Sequence, residues 1–497
     1  MPDHAGLLEN RKPEKFWLSI FYAFSAMMLI DFFFSIYFEN YLLLLIPPAI
    51  LFVYVSLNDL RFIYLLLLFS IPLSIEVSLP DGFSTDFPTE LLIGGLMILF
   101  FPYILSKRKS FDARFFRSSI IFLVLIHYGW VLTSTIFSSD PFISIKFSLA
   151  KTWYIVTFVF MTALIIKSIE DFKHAFWCLL LPLLFTIVYT LIRHSKDGFT
   201  FETVNTPMLP FFRNHVSYAC TIAQMIPFTV LGISWYKKKT FKRRWLIFSL
   251  ILMLVAVYFS YTRSAWLALL IGAMMIPVIH FRMLKWVVPL SLAAIIGFFV
   301  YMGYNGHYLD HAPDYETTIY HPELGEHLAS TFEGKDISSA ERIYRWVAGV
   351  RMWTHEPWVG YGPGNFYNFY KSFTVNSFQT YVSENVERSS VHNYFLLMLT
   401  EQGIIGLIIF MALTIAILIG GERIYHQTVH KDEKRYVLAL LLCVIIIYVN
   451  TFLSDLIETD KIGSFYFICI ALMVNQDVRN KNLREESRTS VGLTHDA

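Results

Sequence analysis

Two short strings hold the residue types best suited to chemistry. One is Tyr261-Thr262-Arg263-Ser264, wedged between two long apolar runs; the other is Val391-His392-Asn393, which opens an apolar run after a long polar segment. A third polar segment ends in the same manner, at Pro210-Phe211-Phe212-Arg213-Asn214-His215. Cationic and titratable groups at the edge of an apolar run are costly to place, so they are functional candidates by default. Guanidiniums stay protonated and present a planar fork to phosphate oxygens. Fixed beside a departing phosphate, they stabilise the charge that builds on it. Arg213 and Arg263 are the candidates for that role, against the plainer reading of helix-end residues that snorkel to an interface. A histidine that opens a helix meets the positive end of the dipole, which favours the neutral ring. His392 can then accept a proton as a general base, or donate a hydrogen bond to pyrophosphate, against the plainer reading of a capping or interfacial histidine.

The elements that position these residues follow from composition. The chain has 497 residues, 56% hydrophobic and 16% charged, with mean hydropathy +0.53. A soluble protein of this length cannot hide that much apolar surface, so the expected class is an all-α integral membrane protein. Apolar runs of spanning length begin near Phe16, Tyr41, Phe62, Thr89, Ser118, Ser148, Lys173, Asn214, Trp245, Ser264, Trp286, Val391, Tyr436 and Lys461. Only Asn58-Asp59-Leu60-Arg61 separates the second from the third, so roughly twelve to fourteen spans are expected.

Basic clusters sort the connecting segments onto two sides. Lys107-Arg108-Lys109 with Arg114 and Arg117, Lys237-Lys238-Lys239 with Arg243 and Arg244, Lys431 with Lys434 and Arg435, and the tail with Arg479, Lys481 and Arg484 all fall on one side. That side is the cytoplasm by the positive-inside rule, and both termini are expected there. With the basic residues serving topology, the net charge of +2 gives no reason to expect a nucleic-acid partner. The first apolar run reads as a signal anchor without a cleavage site. All four cysteines lie in apolar runs, which argues against a disulfide or thiolate metal site. The absence of an internal repeat weighs against a transporter built from duplicated halves.

The expected organisation is an N-terminal membrane region of about 11 spans over 1–303, a large extracytoplasmic loop over 304–390, about 3 C-terminal spans over 391–476 and a disordered cytoplasmic tail over 477–497. Within the loop, SSAERIYRWVAGVRMWTHEP has helical spacing of Ile343, Val347, Val350 and Trp353, a capping box at Ser338 and Glu341, and a stop at Pro357. A turn-rich GYGPGNF follows. Arg342 and Arg345 lie on this amphipathic helix as candidate glycan or pyrophosphate contacts, with solvated-face residues an equal reading. Lys146 and Lys151 flank a span end and are weaker phosphate candidates. His307, His311, His321 and His327 lie near Asp310, Asp314 and Glu323, but no metal site is expected from them. Nor is a cofactor expected.

Four stretches resemble the O-antigen ligase and O-antigen polymerase superfamily, in order and on the outward side: FFRNHVSYACTIAQMIPF, YTRSAWLALLIG, RIYRWVAGVRMWTHEPWVGYGPGNF and HNYFLLMLTEQGIIG. The last resembles the ligase-type signature through His392, Asn393, Gly403 and Gly406, and the two glycines suit close helix packing. The resemblance spans roughly Leu209 to Ile409. It implies a bacterial inner-membrane glycosyltransferase, metal-independent and inverting. Its donor would be an undecaprenyl-pyrophosphate-linked glycan, its acceptor a lipid A-core or similar sugar, and its surroundings membrane lipid. Within the same resemblance stand a polysaccharide polymerase and a protein O-oligosaccharyltransferase. A non-catalytic flippase of lipid-linked glycans is the reading from another class. His392, Arg263 and Arg213 would be catalytic, and Arg342, Arg345, Asn393 and Lys151 would bind substrate.

Overall fold

The computed structural model describes residues 14–38, 44, 46–78, 84–106, 111–311, 337–375, 378, 385 and 389–495. The chain is an all-α membrane protein. In order its elements are α1 (Glu14–Tyr37), α2 (Ile46–Asn58), α3 (Leu60–Ser70), the hairpin β1 (Ile75–Ser78) and β2 (Ser84–Phe87), α4 (Thr89–Ser106), α5 (Ala113–Phe116), α6 (Ser119–Ile136) and α7 (Pro141–Ile165). There follow α8 (Ile169–Lys196), α9 (His215–Ser234), α10 (Phe241–Phe259), α11 (Arg263–His280), α12 (Leu284–Gly303), α13 (Ile337–His355), α14 (Phe366–Phe369), α15 (Tyr394–Gln427), α16 (Lys431–Thr451) and α17 (Asp460–His495). Contacts divide the chain into two units, Met1–Leu66 and Leu67–Ala497. In the first, α1 and α2 pack on each other; the second carries every candidate residue.

Among the described residues, eight helices are long and apolar enough to cross a membrane: α6, α7, α8, α9, α11, α12, α15 and α16. Three shorter apolar stretches, Tyr22–Tyr37, Leu60–Leu73 and Thr89–Leu105, accompany them. Both α10 and α17 also carry long apolar centres, but Lys242, Arg243 and Arg244 load the start of one, and Asp460, Lys461 and Asp477 the other. The apolar run expected to begin near Tyr41 starts outside the described residues.

Local sequence explains where the helices begin. Asp140 caps α7 by accepting from Ile143 N, with Pro141 at the first helical position. Ser168 and Asp171 form a capping box on α8, and Asn214 caps α9 by accepting from Ser217 N at 2.9 Å. Packing then ranks the helices. α9 and α16 are the most enclosed, each with 72% of its apolar window buried, whereas none of the α12 window is buried. α12 exposes Trp286, Leu290 and Val300, a surface that only a bilayer makes tolerable.

One span is not a single helix. Gly403 interrupts α15 with φ 68° and ψ −174°, leaving a short helix 394–402 before the long one. The expected single span opening at Val391 is thus two helical pieces. The chain Pro357–Phe366 is fastened into the break. Ile404 N donates to Pro357 O at 2.9 Å, Gly362 N to Glu401 O at 2.8 Å and Tyr361 N to Thr400 O at 3.1 Å. The buried Glu401 carboxylate accepts from Gly364 N at 2.8 Å and Phe366 N at 2.9 Å. On the other side, Ser134 Oγ donates to Val359 O and Glu401 O. A Cβ at Gly403 would lie 2.1 Å from Trp358 O. Gly403→Ala should therefore destabilise the fold by at least about 1–3 kcal/mol, read as a lowered unfolding temperature in detergent; an unchanged temperature would refute the fastening.

Candidate functional site

His392 lies just before the short helix. Asn393 is the N-cap, its Oδ1 accepting from Leu396 N at 3.1 Å, and His392 precedes it with φ 54°. The expectation that His392 itself sits in the first turn is corrected by this cap, so the dipole is not what keeps the ring neutral. Burial of the ring does so first, then Arg345 and Arg342, which together push its pKa down to about 3. A ring so reluctant to bind a proton is a poor base and a good neutral hydrogen-bonding partner for an anion.

The two arginines come from α13, which packs along α15 with Gly349 against Thr400 and Leu396. The helix starts at Ile337, one residue before Ser338, and ends at His355, ahead of Pro357 as the sequence predicts. The side chain of Ser338 lies outside the described residues. Arg345 is only 5% exposed, not solvated. It pairs with Glu341 at 3.3 Å and donates to Ser390 O at 3.4 Å. Its Nε faces no acceptor among the described residues, and the same is true of Asn393 Nδ2. These are buried donors beside the imidazole, and such groups are costly unless something accepts from them.

Arg213 and Arg263 flank a second cluster. Thr262, directly before Arg263, donates from Oγ1 to His215 O at 3.2 Å. Tyr261 donates from its hydroxyl to Phe199 O at 2.7 Å. The hairpin before α11 is thereby tied to the segment that ends in Arg213, and the two arginines sit on neighbouring turns.

Both clusters share one end of the bundle. At the other end, His426 Nε2 lies 2.8 Å from Ile279 O and Leu284 N donates to Glu422 at 3.0 Å. Hence the start of α16 is beside the end of α11, and the two helices run antiparallel with Gly272 against Ile446. Arg263, nine residues before Gly272, lies about 13 Å further along the axis, level with the segment after Thr451. In that segment the Phe452 ring is 6.1 Å from Trp346, the neighbour of Arg345.

Lys151 lies inside the bundle. It is 5% exposed and donates to both oxygens of Glu458 at 2.7 Å. Tyr394, two residues after His392, donates its hydroxyl to the same carboxylate. Lys151 is thus an internal counter-ion, because a buried ammonium needs one. Beside it, His127, Lys151, Tyr394 and Tyr466 line a cavity of about 10 Å³, room for one water. His127 Nε2 has no partner among the described residues. Sequence reasoning missed Glu401, Glu458 and His127; the available signal was a titratable residue inside or beside an apolar run. His307 lies 3.4 Å from Asp310, and among the described residues no group of His, Cys, Asp or Glu could hold a metal ion. His321, His327, Asp314 and Glu323 lie outside them.

An all-α bundle with spanning-length apolar helices and an apolar exterior is an integral membrane protein. Residues 248–411, about a third of the chain, match the family described as O-antigen ligase, and the match supports membership of that superfamily. Arg263, Arg342, Arg345, His392, Asn393 and both signature glycines fall within the matched stretch; Arg213, Lys151 and Glu458 fall outside it. Among curated proteins none matches the chain.

Proposed function

We propose that the protein transfers a glycan from an undecaprenyl-pyrophosphate carrier to an acceptor sugar, such as the lipid A-core, at the extracytoplasmic face of the bacterial cytoplasmic membrane. The observation that carries this reading is His392, kept neutral by burial and by the charges of Arg345 and Arg342, at the same end of the bundle as Arg213 and Arg263. An acceptor hydroxyl attacks the anomeric carbon while the bond to the lipid pyrophosphate breaks. The guanidiniums stabilise the pyrophosphate charge as it develops, and the neutral imidazole and Asn393 Nδ2 add directed hydrogen bonds. Lys151, ion-paired with Glu458, is left out of this binding set.

Glycan profiling of a deletion strain tests the reaction. Accumulated long carrier-linked polymer with loss of lipid-attached glycan supports transfer to lipid, whereas accumulated single repeats mean polymerisation instead. Sidedness has its own test. Lys335→Cys should react with an impermeant thiol reagent in intact spheroplasts; labelling only after lysis would invert the topology.

Arg263→Lys keeps the charge and loses the bidentate fork. Its kcat/KM for transfer should fall by about 10²-fold, in line with one lost transition-state donor. Full activity would reduce Arg263 to a helix-end residue.

A further inference from the structure

The hairpin that joins α9 to α10 carries six cations in eight positions, Lys237, Lys238, Lys239, Lys242, Arg243 and Arg244, and no carboxylate between Gly232 and Trp245. It lies at the end of the bundle away from the candidate site, because α9 starts just after Arg213 and α10 ends just before the Arg263 turn. Its shape is held from within. Arg243 donates from Nη1 to Ile233 O at 2.8 Å and to Tyr236 O at 3.2 Å, which closes the turn, and Lys239 reverses the chain with φ 71°. Trp177 of α8 donates to the Tyr236 hydroxyl at 3.4 Å. The five cations other than Arg243 are exposed.

Among the described residues none of the six meets a carboxylate, although cations elsewhere at this end do. Arg114 pairs with Asp112 and Glu485, and Lys481 with Asp477. Membrane sidedness calls for basic residues, not for uncompensated ones. The helices beside the hairpin cannot supply the missing charge. Phe172 of α8 lies 6.2 Å from Trp235 and 4.7 Å from Tyr436 of α16, so the starts of both helices are adjacent. Their acids are committed, Glu170 to Lys173, Asp432 to Arg435 and Glu433 to Arg479. Aromatic rings accompany the cations. Phe241 is 72% exposed and stacks on Trp245 at 6.4 Å, and Lys242 Nζ lies 5.5 Å from the Tyr236 ring. Rings at the edge of a span sit at the level of lipid headgroups, which favours a lipid over a soluble polyanion.

We infer that this hairpin binds an anionic phospholipid, its phosphates against the cations and its acyl chains beside Phe241 and Trp245. Clustered Lys and Arg next to a span recognise such headgroups. The cations form two triads, 237–239 and 242–244, so a headgroup with two phosphates suits them better than one with a single phosphate. The lipid supplies the counter-charge that the chain lacks there.

The test titrates the purified full-length protein in detergent with diphosphatidylglycerol, phosphatidylglycerol or phosphatidylethanolamine of matched acyl chains, read by native mass spectrometry. Diphosphatidylglycerol should be retained most strongly and phosphatidylethanolamine least. Each charge removed should cost about fivefold in affinity. Lys237→Gln with Lys238→Gln and Lys239→Gln should therefore weaken diphosphatidylglycerol binding by about 10²-fold, and Lys242→Gln with Arg244→Gln by about 25-fold. Arg243 is left intact because it closes the turn. Lysine-to-arginine replacement at 237–239 keeps the charge and should bind as wild type does. Lys431→Gln with Lys434→Gln removes two charges at the same end outside the hairpin and should change affinity by less than about threefold. Undiminished binding by the triple glutamine variant overturns the inference, as does equal loss in the Lys431 and Lys434 control, which would mean diffuse charge. Equal retention of phosphatidylethanolamine would reduce the contact to ordinary surrounding lipid, and displacement by millimolar inorganic diphosphate would make it a soluble-phosphate site. No transfer is measured, so failure here leaves the transferase reading untouched.

Discussion

His392→Ala should reduce transfer by about 10²–10³-fold, the loss that follows removal of one directed hydrogen bond to developing charge. The protein should remain in the membrane at its normal level, since Asn393 and not His392 caps the helix. The informative variant is His392→Gln. If the imidazole works as a neutral hydrogen-bonding group, as its pKa near 3 argues, the glutamine amide can replace it and activity should stay within about tenfold of wild type. If His392 is the base, glutamine should be as inactive as alanine, because an amide takes no proton near neutral pH. The pair of variants separates the two roles in one assay. Wild-type activity in His392→Ala would remove the residue from the site altogether.

Lys151→Met should destabilise the protein by about 3–5 kcal/mol, because it strands the Glu458 carboxylate without its counter-ion. The double variant Lys151→Met with Glu458→Gln should recover most of that loss. It removes both charges and keeps an oxygen for the Tyr394 hydroxyl. Unfolding temperatures in detergent give the comparison. A Lys151→Met protein of normal stability and weakened donor binding would return Lys151 to the role of phosphate contact, and would imply that the ion pair of 2.7 Å opens when substrate arrives.

Much of the architecture was legible because a membrane solvent imposes it. Apolar runs of spanning length, basic clusters and the helix over 337–355 follow from rules that act on a short window of chain. The proximity of the Arg213 and Arg263 turns was foreshadowed only by both lying at apolar edges. Their joining depends on the Thr262 hydroxyl meeting a carbonyl 47 residues away, and no local pattern encodes that. The break at Gly403 was hidden for a related reason. Its glycine reads as a small residue in a helix, and only the carbonyl of Trp358 pressed against it explains the glycine. Lys151 misled for the opposite reason. A lysine near a span end looks solvent-facing until its partner appears, and Glu458 lies more than three hundred residues downstream.

The kink at Gly403 also decides how this protein can be cut and recombined. The unit that carries His392 runs from α13 through the fastened turn to residue 402, and its joints are the hydrogen bonds accepted by the Pro357, Thr400 and Glu401 carbonyls. A chimera that exchanges the loop with a junction at Val391 separates α13 and its two arginines from the short helix they were selected with. A junction just after Gly403 transfers the arginines, the imidazole and their seating together. Acceptor preference should therefore travel with residues 337–402 as one cassette, while the long helix that follows remains exchangeable membrane scaffold.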